Sequence, residues 1–196
     1  MVDLTTRNAV KSVLNITETS DDSLIDLFVS QASQTFATET QRQFYDVSGA
    51  TLTYDLTPPQ IFGSKLFFLT DVLDVDRVIN GDGNVITPTS FRLLPLNGSP
   101  KYALELYSGS NQWFQAGANG RQSAITIQGT TGYCVAGTIP ADVTYAVTKL
   151  AAFYYQTRDN SGDVVKFADG TTVIPANAPA VVLRTVNNYM RVQMYT

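Results

Sequence analysis

Apolar residues recur at helical spacing as far as Phe44, alternate in short β-branched and aromatic runs from Thr51 to Gly129, and return to helical spacing at Val143. A stripe of period 3.6 and an alternation of period 2 bury different kinds of surface, so the pattern describes helices interrupted by a sheet. In the first part, Thr5 or Thr6 can cap a short helix with Val10, Val13 and Leu14 near one face, before a turn through Asn15 to Thr19. Ser20-Asp21-Asp22 offers a capping hydroxyl and two carboxylates to a longer second helix. Its stripe runs through Ile25, Phe28, Val29, Ala32 and Phe36 toward Phe44, which predicts an end between Arg42 and Tyr45.

The strand candidates are Thr51-Leu56, Lys65-Leu69, Val72-Ile79, Ser90-Pro95, Tyr102-Tyr107 and Ser123-Gly129. Asn80-Gly81-Asp82-Gly83-Asn84 supplies several residues tolerant of positive φ and reads as a hairpin turn. Helix returns at Ile139-Pro140-Ala141-Asp142, with Val143, Ala146, Val147, Leu150, Ala151 and Tyr154 on its apolar face and Arg158 at its end. Val164-Phe167 and Thr171-Ile174 around Asp169-Gly170 read as a small hairpin. Pro179 then opens a final helix through Val182, Leu183, Val186, Tyr189 and Met190. The expected fold class is therefore α+β: a small helical bundle base, residues 1–46 and 139–196, carrying an inserted antiparallel β subdomain, sandwich or barrel-like, over residues 47–138.

Charge and chemistry narrow the function. With 13 Lys plus Arg against 17 Asp plus Glu the net charge is −4, which gives no basic excess to neutralise phosphates along a duplex. The chain has no histidine and one cysteine, Cys134. Disulfides, His-dependent triads and His or Cys metal sites are thereby excluded, and no cofactor is expected. The N-terminus lacks the apolar stretch of a signal peptide, and no segment approaches the roughly 18 apolar residues of a membrane span, so a soluble protein with no membrane partner is expected.

Three segments resemble the head-to-tail connector, or adaptor, family of tailed bacteriophages in its larger form with a β-rich insertion. Leu4-Thr5-Thr6-Arg7-Asn8-Ala9-Val10-Lys11 followed by Ser20-Asp21-Asp22-Ser23-Leu24-Ile25 looks like the family's short helix, acidic turn and long helix. Val72-Leu73-Asp74-Val75-Asp76-Arg77-Val78 with Asp82-Gly83 is similar to the insertion's valine strand and its turn. Gly132-Tyr133, Ile139-Pro140-Ala141-Asp142-Val143 and Ala146 through Asp159 look like the Pro-capped helix with its aromatic and Arg-containing end. The C-terminal helix, with Arg184 and Arg191, matches loosely. The resemblance implies a homo-oligomeric ring, a dodecamer in the family's usual form, docked under the portal protein and receiving a stopper or head-completion protein on its tail side. The lumen of such a ring passes genomic DNA without reading its sequence. It further implies a virion neck protein, assembled in the host cytoplasm, that is not an enzyme.

The residues taken as portal or inter-subunit contacts are Phe153, Tyr154, Tyr155, Arg158, Arg184, Tyr189 and Arg191. Phe153-Tyr154-Tyr155 places aromatics all round one helical turn, so either a neighbouring subunit or the following hairpin must cover what the chain's own core does not. Arg184 and Arg191 lie seven apart in a segment without acids after Asp169, which suits an acidic portal surface; complementing the helix dipole explains Arg191 better than Arg184. The same segment is expected to need a partner to become fixed. A second reading makes the β subdomain a glycan- or surface-binding module through Trp113, Phe114, Tyr102 and Tyr107, against burial of Trp113 in a core or subunit contact. Asp71, Asp74, Asp76 and Asp82 are dense enough for Ca²⁺ but fit no EF-hand spacing, so a solvated strand face is the plainer expectation. Glu105 is the most plausible buried acid, or else a strand residue facing water between Leu104 and Leu106. Cys134 reads as a small buried hydrophobe.

Overall fold

In a computed structural model of the chain, residues 2–135, 137–158 and 177–191 are described. They form two units, each with its own core. The expected hairpin at 164–174 lies outside the described residues.

The first unit, whose described residues are 2–42, 138–158 and 177–191, is helical. Thr6 caps α1 (Arg7–Leu14) by accepting from the Ala9 N–H, and Asn15 ends it in the left-handed region at φ 56°. Helix α2 (Asp22–Thr40) begins without a side-chain cap and stops earlier than its stripe predicts. Gln41 adopts φ 53°, and the N–H groups of Gln41 and Arg42 close the last turn onto Thr38 and Ala37. Phe44 is buried, but beyond the helix and in the second unit. Helix α3 (Ala141–Thr157) buries every residue of its expected stripe, from Val143 to Tyr154. Helix α4 (Ala180–Tyr189) buries Val182, Thr185 and Val186, and Met190 falls just past its end.

Polar groups lock these helices where the apolar stripes meet. The Leu4 N–H donates to Ser33 Oγ at 2.9 Å, and Thr5 shares a hydroxyl contact with Thr148 of α3. Arg42 Nε donates to the Tyr189 carbonyl at 2.6 Å, the Arg191 N–H to the Thr40 carbonyl at 3.0 Å, and Tyr189 Oη to Asp142 at 2.9 Å. Helix α4 is thus fastened to α2 and α3 by its own chain, contrary to the expectation that it needs a partner to be fixed. The reason is that its fasteners are backbone carbonyls and a tyrosine hydroxyl, which charge patterning does not display.

The second unit, from residue 43 to 137, holds β1 (Val47–Tyr54), β2 (Ile61–Phe62), β3 (Lys65–Ile79), β4 (Val85–Ile86), β5 (Phe91–Leu94), β6 (Lys101–Leu106) and β7 (Ile125–Thr131). All pairings are antiparallel, in the order β1-β7-β3-β6-β5, with β2 and β4 also pairing with β3. The chain is α+β, as its patterning indicates, and its sheet ends at β1 on one side and β5 on the other without closing.

Strand β3 is one 15-residue strand where the polar pair Thr70-Asp71 reads as a break. Its pairing with β7 slips between Val72 and Asp74 and again between Val75 and Arg77. Each extra residue reverses the in-and-out alternation, so Val72, Val75 and Val78, spaced by three, all enter the core. They pack there with residues such as Tyr54, Leu66, Phe68, Leu104, Ile125 and Ile127. The Asn80–Asn84 turn forms as expected, joining β3 to β4, with the Asn80 N–H on the Asn84 carbonyl at 2.8 Å.

Candidate interface surfaces

In α3 the aromatic turn divides its three rings. Tyr154 is only 9% exposed, with its ring 6.5 Å from that of Phe28, and burial pushes its hydroxyl pKa up. Phe153 and Tyr155 are half-buried. Tyr155 Oη donates to the Asp21 carboxylate at the start of α2, a bond that raises the tyrosine pKa, and its ring stands edge-on to Phe28 at 6.4 Å. The Arg158 guanidinium lies 4.1 Å from the Tyr155 ring centroid and donates to the Tyr155 carbonyl at 2.8 Å, with its outer side exposed. Phe153 borders an open depression of about 380 Å³, lined also by Val13 of α1, Ala152 and Gln156 of α3, and Val181 of α4. Its walls are mixed, with Lys149 and Gln156 among aliphatic and aromatic side chains.

On α4, Arg184 is exposed, Tyr189 is half-buried by its bond to Asp142, and Arg191 is half-buried just past the helix. The sequence-selected residues therefore fall into an exposed set (Arg158, Arg184), a half-buried set (Phe153, Tyr155, Tyr189, Arg191) and the inward Tyr154.

The ionic group that joins α1 to α2 escaped the sequence reading. Arg7 bridges Asp22 at 3.0 Å and chelates Asp26, while Lys11 Nζ reaches Asp22 and the Glu18 carbonyl, each at 2.6 Å. The Lys11 hydrogen bond holds Asp22 below the usual carboxylate pKa, and the Arg7 hydrogen bond does the same for Asp26. Opposite charges at 7 and 11 against 22 and 26, each pair one helical turn apart, are the signal that was available.

The second unit sorts the remaining candidates. Glu105 stands opposite both Lys65 and Arg92 in register and is bridged by Arg92 at 2.6 Å and Lys65 at 3.6 Å. The Arg92 hydrogen bond lowers its pKa, the opposite of what a general acid needs. The four aspartates do not converge. Asp71 is buried, and Asp74 caps its neighbour's N–H on the exposed face; Asp82 accepts from the backbone and side chain of Asn84. Among the described residues no group of three acidic, cysteine or histidine side chains is placed to hold a metal ion, and no helix is long and apolar enough to cross a membrane. Cys134 is half-buried rather than buried, and its thiol donates to the Phe44 carbonyl at 3.3 Å.

Trp113 is 62% exposed, so it is neither a core residue nor hidden within this chain. Its loop is nevertheless pinned. Buried Asn80 donates to the Trp113 carbonyl at 2.9 Å and accepts from the Gln115 and Gly81 N–H groups at 2.8 and 3.1 Å. A Cβ on Gly81 would lie 2.1 Å from the Gln115 carbonyl oxygen, so only glycine permits this approach. From Tyr107 to Gly120 the segment carries no charge. Uncharged, aromatic and held from beneath, it is suited to contact and carries no catalytic constellation.

Known proteins bear on these surfaces in two ways. Residues 6–60 match the family described as phage gp6-like head-tail connector protein. No curated protein matches the chain's sequence. Among solved structures, the fold is similar to a chain in the neck of a native gene transfer agent (GTA) particle computed with C12 symmetry, at TM-score 0.52 and 16% identity, covering 99% of this chain and 96% of that one. A chain in the neck of the empty GTA particle computed with C6 symmetry gives TM-score 0.55 and 18% identity, over 90% of this chain and 82% of that one. A chain in the virion of the native GTA particle gives 0.55 and 20%, over 91% and 82%. Residues 6–60 span α1, α2 and the entry to the sheet, so the match falls on the part of the chain where the opening connector segments were read. Through that segment the chain resembles the gp6-like head-tail connector family, and the sheet that follows is consistent with a form carrying a β-rich insertion.

Proposed function

We propose that this protein is the structural subunit of a homo-oligomeric ring in the neck of a tailed, phage-like virion. The ring sits between the portal protein and a stopper or tail-proximal protein, with genomic DNA passing through its lumen, and the subunits are made and assembled in the host cytoplasm. The observation that carries the reading is the family match on α1 and α2, supported by a fold that, over nearly the whole chain, resembles chains from particle necks computed with sixfold and twelvefold symmetry. The chemistry agrees. Asp22, Asp26 and Glu105 are paired with cations, Asp74 and Asp82 accept from backbone amides, and a net charge of −4 avoids the phosphate contacts that would retard DNA passage. The portal-facing contacts are assigned to Arg184, Arg191 and Tyr189 of the C-terminal helix, and a further contact to Phe153 with Arg158 over Tyr155.

The test is the mass of the purified chain, alone and mixed with portal rings from the same particle, by native mass spectrometry. Stoichiometric addition to the portal is the expected result. A chain that ignores the portal and forms no ring overturns the proposal. The exposure of Trp113 keeps one second reading in view, a glycan- or surface-binding β module. Glycan binding abolished by Trp113→Ala, with portal addition absent, is the outcome that favours it.

A further inference from the structure

Strand β1 is an end strand, bonded to β7 on one side only. Across Ser48–Thr53 its outer backbone groups have no partner among the described residues. Natural sheets blunt such an edge with lysine, proline, a bulge or a covering segment. Here Val47–Tyr54 contains neither charge nor proline, and its one irregularity lies between Val47 and Ala50, where Gly49 has φ 69°. That leaves Ala50 to Thr53 a regular, uncharged, open edge. The other end of the same sheet, β5, is likewise bonded only to β6.

Five strands separate and include these ends, and every step between them is antiparallel, so β1 and β5 run in the same direction. A rotation that carries one subunit onto its neighbour in a ring preserves strand direction, so the β1 edge of one copy meets the β5 edge of the next in parallel. A twofold pairing of β1 with itself would instead be antiparallel and stop at a dimer. We infer that the β1 edge is completed by β5 of a second copy of this chain, a parallel ladder about four residues long repeated around the ring. The inference rests on the ring proposed above.

Two features favour a second copy over another partner. Only head-to-tail closure uses both open ends, whereas a different protein on β1 leaves β5 exposed. The side chains at the seam also join without stranding a charge. Thr51 and Thr53 are neutral, and Arg92 on the exposed face of β5 is already bridged to Glu105 at 2.6 Å.

The test compares the assembled ring, on its portal where the portal is needed, with the free subunit. In hydrogen exchange of the unmodified chain, alternate amides of Ser48–Thr53 are expected to slow about 100-fold in the ring. In a Cys134→Ser background, Thr51→Cys combined with Arg92→Cys is expected to give a ladder of covalent multimers beyond dimer on oxidation, and neither single variant more than traces of dimer. A ring whose β1 amides exchange as they do in the free subunit overturns the inference and leaves the ring reading standing. So does an abundant dimer from Thr51→Cys alone, which reports β1 paired with itself. Failure to form any ring, with or without portal, overturns both.

Discussion

Replacing Gly129 by alanine tests the close contact of β7 with β3. Gly129 lies opposite Ala50 of β1 on one side and Val75 of β3 on the other. A Cβ there would sit 2.2 Å from the Asp74 carbonyl oxygen and 3.0 Å from Val75 Cα. A carbon and an oxygen need about 3.3 Å, so one strand must retreat by roughly 1 Å, and the atoms in the way are backbone that cannot rotate aside. Overpacking of this kind costs about 1–3 kcal/mol, and each ladder hydrogen bond lost adds about 0.5–1.5 kcal/mol. With one bond lost the sum is about 1.5–4.5 kcal/mol, and its central value of about 3 kcal/mol lowers Tm by roughly 12–24 °C for a unit of this size. The comparison is Gly83→Ala, in the Asn80–Asn84 turn. Its φ of 83° disfavours a side chain, yet a Cβ there meets nothing within 4 Å, so about 1–2 kcal/mol is expected. Calorimetry gives the two Tm values, and peptide-resolved hydrogen exchange assigns the loss to residues 43–137. A Gly129→Ala protein that melts within 4 °C of the parent, or above Gly83→Ala, refutes the close-approach reasoning.

Acid titration should weaken the α1–α2 junction. Asp22 and Asp26 have folded pKa values held below the ordinary 3.8, so their contribution is present above that value and is lost as pH falls through the lower folded values. Arg7→Gln should therefore flatten the fall in stability below about pH 4, read by acid unfolding of the helical unit. Arg184→Glu, on an exposed side chain, should move Tm by no more than about 2 °C while weakening portal addition tenfold or more, read by native mass spectrometry. Asn80→Ala should cost about 1–3 kcal/mol and speed exchange at the Gln115 amide, since that donor and the Trp113 carbonyl lose their shared partner.

The helix faces were open to sequence reading because burial there follows one regular period. The stripe from Val143 to Tyr154 is buried as spaced, and the order of helices and strands follows from the change of period alone. What escaped depends on backbone geometry or on partners far apart in sequence. The end of α2 is made by Gln41 in the left-handed region, a residue with no propensity signal for that role. Strand β3 hides its continuity behind Thr70-Asp71, and its bulges give the buried valines a spacing of three that imitates a helix. The proposed contact residues were legible as types but not as surfaces. The stripe turns Tyr154 inward as read, but nothing in Phe153-Tyr154-Tyr155 says that Asp21 takes the Tyr155 hydroxyl. Arg42, Thr40 and Asp142, which fasten α4, carry no pattern at all until the fold places them opposite Tyr189 and Arg191.

The distribution of exposed apolar surface bears on how a ring forms. Among the described residues of the helical unit, Leu27 and Tyr145 are the large side chains most open to water. The β unit exposes Phe62, at 75%, with Leu69, Leu96, Tyr102, Tyr107 and Trp113. Covering all six would contribute roughly 5–10 kcal/mol, allowing for the share of each already buried. Association costs about 4–15 kcal/mol in lost freedom before any contact is counted. The two ranges overlap, so seams drawn from this unit alone come out near balance, and the free chain is expected to stay monomeric at micromolar concentration. On the proposed function, a portal bound through α4 would remove most of that cost by holding neighbours side by side, and the same seams would then become favourable. Ring formation would then belong to the docked chain, and the inferred pairing of the β1 edge would follow docking rather than precede it.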